Sequence, residues 1–113
     1  MDVADLGGRP LLEVYFIDVG QGDGVLVRTP HDDAWHMIDA GIRAAEQMTR
    51  KGAANFVRWK FIDDLRRDRV TLKNMVVTHP DADHFGGMID LLSGALPDGR
   101  TFGIEVERFW HNG

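Results

Sequence analysis

Residues 78–87 read THPDADHFGG, and no other stretch constrains this chain so tightly. Within six positions stand His79, Asp81, Asp83 and His84, all of them side chains that ligate metals. The spacing is too tight for one helix face, and Pro80 disfavours helical geometry at His79. The run MVVTH before it is apolar and β-branched and reads as a strand. The run MIDLLSGAL after Gly86 and Gly87 has helical periodicity. The cluster therefore sits on a strand-to-helix connection, where several side chains converge on one point. Two imidazoles and two carboxylates suit zinc, manganese or iron better than calcium or magnesium. A plainer reading makes Asp81 or Asp83 the cap of the following helix. It accounts poorly for four ligand-type residues alternating around Pro80 and Ala82.

The rest of the chain supplies a setting for that loop. Residues 11–19 form a strand that is apolar at most positions, which predicts burial on both faces. Residues 20–24, GQGDG, form a turn whose glycines permit close approach of the main chain. Residues 25–29 and 34–39 are two more strands, joined by a hairpin connection at 30–33. His31 falls in that connection and His36 on the strand after it, so both are expected at the surface. Residues 42–60 are helical but interrupted by Gly52, which predicts two short helices. Phe56, Trp59, Phe61, Ile62 and Leu65 make an apolar stripe near the 3.6 period. Trp59 is expected in a core or interface, with stacking on a nucleobase as the rarer use. A fourth strand at 70–78, a helix at 85–96, a turn at 97–100 and a strand at 102–110 complete the pattern. The fold class is α/β: a β-meander, helices, a strand, the metal-type loop, a helix and a strand.

Three blocks carry a resemblance. THPDADHFGG resembles the HxHxDH signature of the metallo-β-lactamase superfamily, with Asp81 where the second His usually stands. FIDVGQGDGVL at 16–26 and WHMIDAG at 35–41 precede it in the order seen in the domain of the ComEC competence DNA-uptake protein and its soluble relatives. The resemblance covers residues 12 to about 92. It implies a four-layer αβ/βα sandwich of two similar halves, of which residues 11–113 would be the first, after a leader at 1–10. It implies two divalent ions, zinc or manganese, held by His79, Asp81, Asp83 and His84. A metal-bound hydroxide would be the attacking group. Asp83 and Asp39 are the catalytic candidates. Asp39 is also expected to orient the loop by hydrogen bonding. Asp18 and Asp23 would brace the glycine turn, and Gly86 and Gly87 would let the helix start close to the metals. The family's remaining ligands come from a C-terminal half. His111, the only later histidine, is not assigned to that set.

Function follows from the same resemblance. The expected activity is that of a metal-dependent phosphodiesterase, a nuclease acting on DNA. Other hydrolases of the superfamily, cutting an ester, thioester or lactam, are the alternative, because this fold hosts many substrates. A non-catalytic or regulatory fragment is the third reading. The expected partners are the C-terminal half, on the same or a separate chain, and a nucleic-acid substrate. A regulatory protease or a homo-oligomer completes that set, and the isolated 113 residues are expected to be inactive.

Charge bears on the substrate. The net charge is -5, but residues 43–73 carry nine basic and four acidic side chains. A basic segment on an acidic body is one way to contact a phosphate backbone, and Arg58, Lys60, Arg66 and Arg67 are the candidates. The alternative is a solvated helix face of mixed charge. With no cysteine, neither a disulfide framework nor a thiolate metal site is available. No apolar run approaches the ~18 residues of a membrane span. A cytoplasmic location is the resulting expectation.

Overall fold

The computed structural model describes residues 11–18, 23–79 and 82–111, with residues 18, 23 and 82–85 described by their backbone alone. Three strands come first: β1 (Glu13–Asp18), β2 (Asp23–Thr29) and β3 (Ala34–Ala40). They pair antiparallel in sequence order. Alternation decides which side chains they bury: Leu26, Trp35 and Met37 point to one face and are sealed from solvent. The β2–β3 turn is tied by its own polar groups. Thr29 Oγ1 donates to Asp32 Oδ1 at 2.6 Å, the Ala34 amide donates to the same oxygen at 3.2 Å, and Asp33 takes a positive φ of 50°.

The next two strands run in the same direction as β3. β4 (Arg69–Val77) lies parallel to β3, and β5 (Gly103–His111) lies parallel to β4, giving one mixed sheet in the order β1-β2-β3-β4-β5. Parallel neighbours need crossovers, and helices supply them. The first is α1 (Ala53–Arg58), which continues as a π-helical turn over Trp59–Asp64. The second is α2 (Ala82–Ser93). Both cover the same face of the sheet: Val57 and Phe61 from the first crossover, and Met88 and Leu91 from α2, join Trp35, Met37, Leu72 and Met75 in one core. The α2 helix stops at Gly94, whose φ of 65° puts it in the left-handed region while its amide still bonds the Asp90 and Leu91 carbonyls.

Several expectations need correction. β1 is an edge strand, not one buried on both faces: Phe16 is 82% exposed and Val14 is exposed beside it, while Tyr15 and Ile17 turn inward. An apolar run without alternation could not reveal that only one face is covered here. Of the two helices expected around Gly52, the first shrinks to a 3-10 turn at Ala44–Glu46. Gly52 instead caps α1, its amide donating to Asn55 Oδ1 at 2.8 Å. The motif helix begins at Ala82, so Asp83 and His84 lie in its first turn and not on the loop before it. In β4 the alternation breaks: Val70 and Leu72 are buried, then Met75 and Val77. Trp59 is in no core; it is exposed and tilted against Phe56 at 5.8 Å. His36 is half-buried and bonded, not a free surface residue.

Candidate functional site

The C-terminal ends of the three parallel strands point the same way, toward the connection that leads into α2. β3 ends at Ala40, β4 at Val77, and the β4–β5 ladder sets His111 opposite Val77. In open α/β sheets this end of the strands is where chemistry collects. A shallow hollow of about 270 Å³ lies there, lined by Val76, Val77, Thr78, Trp110 and His111.

Asp39 organises the entry to the loop. Its carboxylate accepts the Thr78 amide at 2.8 Å through Oδ1 and the Thr78 hydroxyl at 2.6 Å through Oδ2. Both are hydrogen bonds to a carboxylate, the stronger class. They fix the backbone one residue before His79, which is exposed. Asp39 also has a φ of 54°, a conformation that costs most L-residues about 1 kcal/mol and that Asp tolerates better than most. Strain of this kind persists where surrounding contacts hold it. Here the two bonds to Thr78 do so.

Gly86 and Gly87 act through closeness. They sit inside α2, not ahead of it, and the helix there lies against the end of β3. A methyl group on Gly87 would fall 2.1 Å from the Ala40 carbonyl oxygen, and one on Gly86 would fall 3.0 Å from the Arg43 amide. The Gly87 amide donates to the Gly41 carbonyl at 2.8 Å. Farther along α2, Asp90 is 4% exposed and accepts the Ala44 amide at 2.7 Å. Arg43 Nε reaches its other oxygen at 3.4 Å.

Asp81 lies outside the described residues, and Asp83 and His84 are placed by backbone only. Among the described residues no three of His, Cys, Asp and Glu come together as a metal-holding group. Asp18 and Asp23 are partners at the end of the β1–β2 ladder, and the glycine-rich residues 19–22 between them lie outside the described residues. Three of the four basic candidates are engaged in ion pairs. Arg58 pairs with Asp63 at 3.2 Å. Lys60 is buried, pairs with Asp64 at 2.7 Å and sits 4.7 Å over the Tyr15 ring. Burial works to lower the Lys60 pKa, but the bonds to Asp64 and Tyr15 outweigh it and hold it above the usual lysine value. Arg67 pairs with Asp33 at 3.2 Å and lies over Phe61. Arg66 is exposed, with a φ of 58°.

The family model of the metallo-beta-lactamase superfamily matches residues 17–95. The chain belongs to the metallo-β-lactamase superfamily. The matched span runs from β1 through α2 and so contains the Asp39 clamp and the whole THPDADHFGG block. The sheet and its two crossovers are the N-terminal part of that fold. No curated protein and no solved structure matched the chain. Membership in this superfamily points to a metal-dependent hydrolase, and its members typically bind divalent metals, usually zinc. The residues present fit such ions. The donor set is imidazole and carboxylate, and the Gly87 contact packs α2 against Ala40, the residue after Asp39.

Sequence reasoning missed two features. Asp90 was one: it lies three and four positions after Gly87 and Gly86, on the inner face of α2. A charged residue at a core position of a helix was the signal available. The second is a hydrogen-bonded row on the other face of the sheet. His36 Nδ1 meets the Asn74 amide at 3.0 Å, and Trp110 Nε1 donates to Asn74 Oδ1 at 2.7 Å. Three strands contribute to it, and no local pattern announces it.

Proposed function

We propose that this chain builds the first half of a ComEC-like metallo-hydrolase site that cleaves phosphodiesters in DNA. The observation that carries the reading is the Asp39–Thr78 clamp at the base of the THPDADH connection in a chain of this superfamily. His79 and Asp81 would hold one divalent ion, and Asp83 and His84 a second. When bound, such a pair polarises a phosphoryl oxygen and acidifies water near neutral pH. Asp39 keeps the backbone at Thr78 from shifting, and Gly87 keeps α2 against β3, so the donors stay in register. His111, placed beside Val77 at the same end of the sheet, is the proposed further donor from this chain. The remaining donors would come from a C-terminal half, and the cytoplasm is the proposed location.

DNA as substrate rests on the likeness of the blocks at 16–26, 35–41 and 78–87 to ComEC. A second reading, hydrolysis of an ester, thioester or lactam, is favoured by the ion pairs that engage Arg58, Lys60 and Arg67. The protein as cells make it, incubated with supercoiled plasmid and Mn²⁺ or Zn²⁺, separates the two. Nicking that disappears in Asp83→Ala supports the nuclease. Bound metal with no cleavage of any nucleic acid supports the second reading, and no bound metal leaves a regulatory relic of the fold.

A further inference from the structure

His79 and the Asp83–His84 pair hang from two different anchors, and one short backbone segment joins the anchors. His79 follows Thr78, which Asp39 clamps at 2.8 and 2.6 Å. Asp83 and His84 belong to the first turn of α2, and α2 is tied to residues just beyond Asp39. The ties are the Gly87 amide on the Gly41 carbonyl at 2.8 Å and the Asp90 carboxylate on the Ala44 amide at 2.7 Å, reinforced by Arg43 at 3.4 Å. Residues 39–44 thus touch both anchors.

We infer that Asp90 is a positioning residue for the second metal. Its buried carboxylate fastens residues 43–44 to α2 and so sets how far Asp83 and His84 stand from His79. The inference deepens the metal-site reading above and rests on it. Three observations argue for a positioning role over simple packing. A carboxylate 4% exposed is costly to bury unless its bonds are needed. Both of its oxygens are spent on the segment after Asp39 and not on neighbours along its own helix. The attachment spans from Gly86 to Asp90, about 6 Å of helix, which resists tilting of α2 as a single contact could not. Loss of the tie would let α2 swing about its Gly87 contact. The Asp39–Thr78 clamp, on a separate pair of bonds, would stay.

The test is a Co²⁺ titration of the protein as cells make it, followed by the ligand-field absorption of the bound ion, with urea unfolding measured alongside. The wild type is expected to take two equivalents. In Asp90→Ala the first equivalent should bind as before, and the second should weaken about tenfold or more, as when a group supporting a ligand is removed. Asp90→Asn should recover most of the loss, because its amide oxygen still accepts the Ala44 amide. If Asp90→Ala does not fold, Arg43→Ala carries the same comparison with a smaller, severalfold shift confined to the second equivalent. Two equivalents at wild-type affinity in Asp90→Ala overturn the inference, as does equal weakening of both in step with lost stability. A wild type that binds no Co²⁺ overturns the metal-site reading itself.

Discussion

Replacing Gly87 with alanine probes the tightest contact among the described glycines. The added carbon would stand 2.1 Å from the Ala40 carbonyl oxygen, and 2.9 Å from both the Ala40 carbonyl carbon and Cβ. An ordinary carbon–oxygen contact is about 3.3 Å, so α2 and β3 must separate by about 1 Å. All three obstacles belong to Ala40, whose backbone is held in β3, so no side chain can swing aside. Overpacking of this kind costs about 1–3 kcal/mol. Separation also stretches the bond from the Gly87 amide to Gly41, worth about 1 kcal/mol. Against this, alanine is favoured over glycine inside a helix by about 1 kcal/mol. The steric terms win, and the net loss is about 2 kcal/mol. The larger effect falls on the site, because a shift of about 1 Å in a reacting group costs on the order of 10²-fold in rate. Urea unfolding should show a lower midpoint at unchanged slope. Metal content and hydrolysis should fall further than stability does. Gly99→Ala, at a φ of 90° with open space around it, should lose about 1 kcal/mol to backbone strain while metal binding stays whole. Should Gly87→Ala match the wild type in both stability and metal content, the packing argument is wrong.

Two further outcomes follow from the geometry. Asp39→Ala should cost about 2–3 kcal/mol and Asp39→Asn about 1, since the amide keeps both contacts to Thr78 without the charge. A double-mutant cycle with Thr78→Val should return a coupling of about 1 kcal/mol, and strict additivity would show that the clamp carries no energy. The Asp32 carboxyl is held well below the usual carboxylate range by the Thr29 hydroxyl and then by Lys73. A depressed pKa adds stability that is present above about pH 4 and is lost as pH falls below it. Asp32→Asn should therefore flatten the acid side of the stability profile, and a profile parallel to the wild type below pH 4 would contradict this.

The order of elements was legible because it rests on local signals. The MVVTH run, the hairpin residues 30–33 and the periodic helix after Gly87 each announce themselves within a few positions, and each forms close to where expected. Helix onset was misjudged by three residues: Pro80 bars helix before itself, yet nothing local bars it from Ala82 onward. Residues 42–52 misled for the opposite reason. Their helical pattern is real locally, but it yields only a 3-10 turn at Ala44–Glu46, whose first amide is bonded to the Asp90 carboxylate of α2.

The sequence by itself determined which chemistry is available: two imidazoles and two carboxylates packed into six positions, an Asp at the end of a strand, and a strand before and a helix at the end of that run. Tertiary structure alone decided what holds them. Thr78 is claimed by Asp39, 39 residues away, and α2 is moored through Asp90 to an amide 46 residues away. Such bonds depend on which strands become neighbours and in what register. That is settled by the shared core of Trp35, Met37, Leu72 and Met75, and no short window of sequence contains it.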